Sequence, residues 1–269
     1  MKKILFPTDF SDTASSAFSY ACELAKQLDA RITVMAVYHL PLNDAGRVPP
    51  DYIQQMLQEK KQEILKKIEA FSESAPAERL DEPRADYGLF VAQEITDAAR
   101  KEHFDLIVMG TKGQHNPLEK MLGSVTTQTM MQASCPVLAV PRDGSFQPIR
   151  HIAYATDFLP TDEQAVDQLM ELAGDLDASV HFVHIDIQEK TREEEKEFDL
   201  DDYPYDFTEF SVVQHPSAVE GMENYIKKKE INLLALFIPH RRLWERLFHT
   251  SFTKKMTFQT KLPLLVFHE

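Results

Sequence analysis

The chain repeats itself, and this repeat limits the folds it can adopt more than any other feature does. Residues 3–38 and 151–186 follow one pattern at a constant offset of 148 positions. Towards the end of each copy the offset is 127, so the second copy has lost 21 residues from its middle. Three segments carry the match: Thr8-Asp9-Phe10 with Thr156-Asp157-Phe158, Leu28-Asp29-Ala30 with Leu176-Asp177-Ala178, and Cys135-Pro136-Val137-Leu138 with Leu262-Pro263-Leu264-Leu265. We predict two similar domains in tandem, residues 1–143 and 149–269, joined by a short polar linker.

Each copy alternates short apolar runs with stretches of helical periodicity. In the first copy this pattern predicts strands at Ile4–Pro7, Ile32–Val37, Arg84–Tyr87, Leu106–Met109 and Val137–Val140, and helices at 12–28, 51–74, 89–102 and 124–133. Alternating strands and helices predict α/β domains, each with a mostly parallel, doubly wound sheet. Right-handed crossovers then place helices on both faces of each sheet.

Composition and charge exclude several classes of function. The net charge of the 269 residues is −14, so a phosphate backbone or an anionic membrane surface would repel the chain. No apolar run approaches the ~20 residues of a membrane span, and the opening apolar run is too short for a signal peptide. The two cysteines cannot build a disulfide framework. We therefore expect a cytoplasmic protein that binds neither nucleic acid nor membranes.

Three of the eight glycines lie close together, at Gly110, Gly113 and Gly123. They follow a predicted strand and precede a helix that opens with Ser124-Val125-Thr126. Bare backbone lets N–H groups approach an anion, and a helix start adds a positive partial charge. Lys112 and the hydroxyls of the helix start would add donors. The spacing favours a phosphate-binding loop over a plain turn and cap, and no GxxxxGK[ST] motif is present.

The spacing Gly110-x-x-Gly113, nine residues, then Gly123-Ser124-Val125-Thr126 resembles the nucleotide-binding signature of the ATP-binding universal stress proteins. The opening Ile4–Asp9 is similar to that family's first strand and turn, and the resemblance covers the chain as two tandem copies. It implies two open five-stranded parallel sheets of order 3-2-1-4-5, with ligands at the crevice between strands 1 and 4. It also implies ATP with Mg²⁺ in the first copy, and no catalytic or metal-ligating side chain. The nucleotide-binding residues that it implies are Pro7, Thr8, Asp9, Val37, Met109, Gly110, Lys112, Gly113, Gly123, Ser124, Val125 and Thr126.

The resemblance assigns Asp9 to the nucleoside and Val37 to the adenine edge, and it assigns the glycines and the helix start to ribose and phosphates. Asp9 also has a second interpretation. Asp157 persists in the second copy, where the glycines are gone, and an aspartate in this turn followed by Ser11 can cap a helix. The sequence leaves both roles open.

The second copy lacks the glycine motif. Phe237, His240 and Thr250 stand where the first copy has its three glycines, and Ser251 alone matches, at the place of Ser124. A phenyl ring at 237 would project where the phosphates need bare backbone. The basic segment 240–244 could hold an anion differently, although a solvated helical face is the favoured interpretation. We expect no ATP in the second copy.

Three functions are compatible with these patterns. The favoured one is an ATP-binding stress protein, non-catalytic or a very slow ATPase, whose single nucleotide signals or supports stress resistance through a protein partner. The alternatives are an interaction scaffold without nucleotide and an ATP-using transferase, whose SGGxDS-like loop is absent after the first strand. Because an exposed apolar sheet edge promotes association, we also predict that strands 137–140 and 264–267 pair the two copies.

Overall fold

The computed structural model describes residues 2–40, 49–111, 123–142, 144–156, 163–187, 209–238 and 262–268. Its internal contacts divide the chain into two compact units, Met1–Phe146 and Gln147–Glu269, called here the first unit and the second unit. Among these described residues, no helix is both long enough and apolar enough to cross a membrane.

The first unit alternates strands and helices as the sequence predicts. Its elements are β1 (Lys3–Pro7), α1 (Asp12–Gln27), β2 (Arg31–Tyr38), α2 (Pro50–Ser72), β3 (Arg84–Tyr87), α3 (Val91–Lys101), β4 (Leu106–Gly110), α4 (Ser124–Gln132) and β5 (Val137–Val140). The strands are parallel and lie in the order β3-β2-β1-β4-β5. The order reverses between β1 and β4, which creates a crevice at the carboxyl ends of these two strands.

The second unit has the same topology. Its described elements are β6 (His151–Ala155), α5 (Glu163–Leu176), β7 (Ser179–Asp186), β8 (Glu209–Gln214), α6 (Ala218–Lys228), β9 (Leu233–Ile238) and β10 (Leu264–His268). Its strands are parallel too and lie in the order β8-β7-β6-β9-β10. The predicted fold class, an open five-stranded parallel sheet in each of two tandem domains, is therefore confirmed.

The two sheets agree residue by residue in their register. Ile4 lies opposite Leu106 in the first unit, and Ile152 lies opposite Leu233 in the second. Gly110 lies opposite Val140, as Phe237 lies opposite Phe267. The offset is 148 through β7 and 127 from β8 onwards. The 21 missing residues therefore fall between β7 and β8, where the first unit has the 23-residue helix α2.

Apolar burial explains why these segments form the first sheet. Ile4, Leu5 and Phe6 are fully buried, as expected for a central strand covered on both faces. On one face, Phe18 of α1 and Phe71 of α2 pack against Phe6, with ring centroids 5.1–6.3 Å apart. Right-handed crossovers place α3 and α4 on the other face.

Left-handed backbone conformations repeat as well. Asp29 and Asp177 have φ of 48° and 52°, each just after the first helix of its unit. His103 and Glu230 have φ of 54° and 53°, each after the helix that follows the third strand. Such φ values are uncommon for residues other than glycine. Their recurrence at matched positions shows that the repeat extends to the backbone of the helix ends.

Candidate functional site

The predicted site residues of the first unit gather at one edge of its sheet. Pro7 ends β1, Val37 is next to last in β2, and Met109 and Gly110 end β4. Because these strands are parallel, their carboxyl ends meet at the same edge, at the point where the strand order reverses. Met109 is buried, with 5% of its surface exposed, whereas Pro7, Val37 and Gly110 are half-buried at the rim.

The turn between β1 and α1 is held by its own side chains. The Thr8 N–H donates to the Met35 carbonyl (2.8 Å), and the Phe10 N–H donates to the Thr8 hydroxyl (3.0 Å). The Ser11 N–H donates to Asp9 Oδ1 (3.1 Å), while the Ser11 hydroxyl caps α1 by accepting from the Ala14 N–H (3.1 Å). The turn role of Asp9 is therefore present in the structure. Its side chain is also exposed at the crevice, where a ligand can reach it.

Gly110 lies against the first turn of α1. A Cβ at this position would lie 3.0 Å from Thr13 Cγ2 and 3.2 Å from the Thr13 carbonyl oxygen. At these distances the Thr13 atoms would have to give way by a few tenths of an ångström. Gly110 thus has a packing role in addition to any ligand contact. The sequence does not point to Thr13, because nothing in its pattern indicates which helix residue crosses the end of β4.

Two hydrogen bonds hold the start of α4 at the end of β4. The Gly123 N–H donates to the Thr111 carbonyl (2.6 Å), and the Thr126 hydroxyl donates to the Gly110 carbonyl (2.9 Å). The first bond of the helix runs from the Thr127 N–H to the Gly123 carbonyl, so the helix itself leaves the N–H groups of residues 124–126 unused. Thr126 is 4% exposed, and its hydroxyl positions the helix.

The remaining predicted site residues divide into two groups. Ser124 is exposed and Val125 is half-buried at the start of α4. Lys112 and Gly113 lie outside the described residues, as do His240, Thr250, Ser251 and the basic segment 240–244. Phe237 is described and half-buried in β9. Phe237 pairs with Phe267 of β10, just as Gly110 pairs with Val140 of β5. A phenylalanine therefore stands at the position that the glycine has in the first unit.

A polar cluster that the sequence does not predict lies at the amino ends of β6, β7 and β8. His181 is 5% exposed, and its Nε2 lies 3.4 Å from Ser179 Oγ, which lies 2.8 Å from His151 Nδ1. The other ring nitrogen of His181 lies 3.4 Å from the Tyr225 hydroxyl and 3.5 Å from Glu209 Oε2. The first unit has Thr33, Arg31 and Lys3 at the places of His181, Ser179 and His151.

Electrostatics in this cluster follow from burial and from one ion pair. Burial lowers the pKa of His181 below its usual 6.5, although Glu209 partly opposes this effect. Lys229 donates to Glu209 Oε2 (2.6 Å), and this bond lowers the pKa of Glu209. The cluster therefore holds a neutral histidine beside a charged pair at neutral pH. Within the described ranges, no group of three or more His, Cys, Asp or Glu side chains could hold a metal ion.

A cavity of about 310 Å³ lies elsewhere in the first unit, between α2 and the segment before β3. Val34 and Ile68 form part of its wall, and Glu69, Glu73 and Asp81 also line it. Three carboxylates repel a phosphate anion, so this cavity is unsuited to a nucleotide.

Comparisons with known proteins connect this architecture to one family. The family model described as "Universal stress protein family" matches residues 1–141. Universal stress protein MJ0531 of Methanocaldococcus jannaschii is 35% identical over 145 residues, which cover 52% of this chain and 82% of that protein. Universal stress protein YxiE of Bacillus subtilis is 31% identical over 144 residues, covering 51% of this chain and 97% of that protein.

A solved structure matches the fold along nearly the whole chain. The crystal structure of a universal stress protein from Archaeoglobus fulgidus covers 99% of this chain, and the match covers 96% of that protein. The TM-score is 0.66 at 17% sequence identity, so this match bears on the fold alone.

Proposed function

Since this chain belongs to the universal stress protein family, we propose that its first unit binds one ATP and that the protein acts through this binding rather than through catalysis. The nucleotide would lie across the carboxyl ends of β1, β2 and β4. The bound state would be recognised by a protein partner in a stress response.

The start of α4 is the observation that carries this proposal. The N–H groups that α4 does not use in its own hydrogen bonds and the helix dipole favour an anion, and Gly123 gives that anion access to the backbone. Thr126 and Gly123 fix the helix start to the end of β4 through bonds of 2.9 Å and 2.6 Å. A phosphate bound there would therefore meet donors that are already in position. We assign Gly110, Lys112, Gly113, Gly123, Ser124 and Val125 to ribose and phosphates, with Thr126 holding the helix.

The nucleoside end of the site would lie towards β2. Asp9 is exposed beside the crevice, and Val37 is half-buried at the end of β2. We assign the Asp9 carboxylate to the nucleoside and Val37 to the adenine edge. Pro7, Thr8 and Met109 would contribute the strand ends between them. Mg²⁺ would be held by the phosphates of ATP and by water, because the donors at the start of α4 are N–H and hydroxyl groups.

A non-catalytic role follows from the same assignment. Asp9 accepts from the Ser11 N–H and would lie at the nucleoside, and Asp86 lies on β3 opposite Val37, so neither carboxylate would lie at the γ-phosphate. General-base attack of water needs a base within hydrogen-bond reach of that water. We therefore propose that ATP turnover is absent or very slow.

Calorimetric titration of the full chain with ATP, ADP and AMP tests the proposal. We expect saturable binding of ATP, and mass spectrometry of gently purified protein should detect co-purifying nucleotide. A chain that binds none of the three nucleotides would instead support the interaction scaffold. Release of AMP or pyrophosphate with an acceptor substrate would support the transferase.

The pairing of the two copies through strands 137–140 and 264–267 stays a prediction. Its physical basis is the apolar, edge position of the last strand in each sheet order. Expression of residues 1–146 alone tests it by sedimentation. We expect dimers or aggregates, and a stable monomer at high concentration would contradict the pairing.

A further inference from the structure

Two large apolar side chains are exposed in the loop between β3 and α3. Leu89 is 71% exposed and Phe90 is 70% exposed, and their neighbours Tyr87 and Val91 are 43% and 37% exposed. Isolated exposed apolar residues are ordinary, but four within five positions form a patch.

The second unit is an internal control for this loop. Helices α3 and α6 begin at matched positions, Val91 and Ala218, so Phe90 corresponds to Ser217 and Leu89 to Pro216. The Ser217 side chain caps α6 by accepting from the Glu220 N–H (3.3 Å), whereas Phe90 makes no side-chain cap. Loss of a capping hydroxyl destabilises a helix start. The first unit therefore gives up a cap and exposes a phenyl ring at the same position, which calls for a reason other than stability.

The loop begins beside the part of β2 that we assigned to the base. Val37 lies opposite Asp86 and Tyr38 opposite Tyr87, and the Gly88 N–H donates to the Tyr38 carbonyl (3.0 Å). Neighbouring strands lie about 4.8 Å apart. Phe90 follows Tyr87 by three residues, a reach of roughly 10 Å at full extension. The apolar pair thus follows the carboxyl end of β3 directly, beside the end of β2 that carries Val37.

We propose that Leu89 and Phe90 form the outer wall of the base pocket and cover the adenine ring of the bound nucleotide. This inference rests on the proposed function. Two observations favour a base over a protein partner as the occupant. The pair lies next to the nucleoside end of the site, and it occurs in the unit that has the glycine motif but not in the unit where Phe237 replaces Gly110. An aromatic ring and a branched aliphatic chain suit the flat, apolar face of a purine.

The F90S variant gives the first unit the residue that the second unit has at this position. We expect it to weaken ATP and AMP binding by the same factor, roughly 5- to 50-fold, as loss of base stacking does. Binding of inorganic tripolyphosphate, which has no base, should not change. The F90W variant keeps an aromatic ring at this position, so it should bind ATP as the wild-type chain does.

Y52S is the matched control, since Tyr52 is 55% exposed on α2 and belongs to no part of the proposed site. We expect it to bind ATP as the wild-type chain does. Wild-type binding of ATP together with unchanged affinity in F90S would overturn this inference and leave the proposed function standing. A wild-type chain that binds no ATP would overturn both.

Discussion

Gly110, the last residue of β4, lies so close to Thr13 in the first turn of α1 that a Cβ there would come within 3.0 Å of Thr13 Cγ2. The Thr13 carbonyl oxygen would be 3.2 Å from the same atom. Helix α1 therefore packs on the backbone of β4 at the point where the proposed phosphate site begins. This glycine serves the packing of the first unit even when no nucleotide is bound.

Replacement of Gly110 by alanine should destabilise the first unit by about 1–3 kcal/mol, because overpacking forces α1 to shift. Adding Thr13→Ser to the G110A variant removes Cγ2 and should recover part of the lost stability. G174A is the control, since a Cβ at Gly174 meets nothing within 4 Å. Urea denaturation measures all three variants. Equal stability of G110A and wild type would contradict the contact with Thr13.

The G123D variant should fold normally and lose nucleotide binding. An aspartate brings a negative charge and a side chain to the start of α4, where we place the phosphates. Loss of two charge-assisted N–H contacts at ~1.5–3 kcal/mol each weakens binding at least about 100-fold. Calorimetry against ATP checks this, with circular dichroism as the test of folding. G174D carries the same charge at an exposed position of α5 and should bind ATP as the wild-type chain does. Unchanged affinity in folded G123D would contradict the phosphate-site assignment.

One ATP per chain is the expected stoichiometry. Phe237 occupies the register position of Gly110 in the second unit, and His240 and Thr250 stand at the other two glycine positions of the sequence. Each replacement adds a side chain where close approach of backbone is needed. Calorimetry of the full chain should give a stoichiometry near one. Labelling of residues 147–269 by a photoreactive ATP analogue, prevented by excess ATP, would show that the second unit binds as well.

Acid should destabilise the second unit through His181. Its folded pKa is lowered by burial, so below pH ~6.5 the unfolded chain binds more protons than the folded one. Stability is therefore highest where the histidine is neutral in both states, and it falls as the pH decreases from about 6.5. One proton contributes a slope of at most ~1.4 kcal/mol per pH unit.

The H181T variant removes this titration and is the test of it. It introduces the residue that the first unit has at the matched position, Thr33, which is also buried. Between pH 7.5 and 5.5 the unfolding free energy of the wild-type chain should fall more steeply than that of H181T. Parallel pH profiles would show that another group carries the acid sensitivity.

Both cysteines should resist alkylation in the folded protein. Burial raises the pKa of Cys22 to about 11, with a contribution from Glu23, and raises that of Cys135 to about 12. The thiolate is the reactive form, so almost none is present at pH 8. Intact-mass measurement after iodoacetamide treatment should show no adduct on native protein and two adducts in urea. Rapid modification of the native chain would contradict the raised pKa values of these thiols.

The fold could be predicted because the same pattern of strands and helices occurs in both copies of the repeat. Residues related by the offsets of 148 and 127 in the sequence take equivalent positions in the strand pairings of the two units. The correspondence of Phe237 with Gly110 could therefore be predicted from the sequence. The helix predicted at 89–102 begins at Val91 in the structure. Phe90 precedes it without a capping side chain, so the sequence has no signal that marks this start. Element ends depend on such local bonds more than on periodicity.

The contacts within the site were harder to predict. A threonine at the start of α4 offers a hydroxyl, but the sequence does not show that Thr126 donates it to the Gly110 carbonyl. The His181 cluster depends on which residues face each other across three strands and one helix. Register sets those neighbours, and a period-2 pattern predicts the face of a strand without predicting its partners.

The bonds from Gly123 to Thr111 and from Thr126 to Gly110 join the chain on either side of residues 112–122. Three of the four bonding groups are backbone atoms, and the fourth is the Thr126 hydroxyl, so none of them belongs to residues 112–122. The entropy of closing such a segment grows slowly, by about 0.6 kcal/mol for each doubling of its length. Insertions, deletions and exchanges between 112 and 122 should therefore alter what the first unit recognises at almost no expense to its folding.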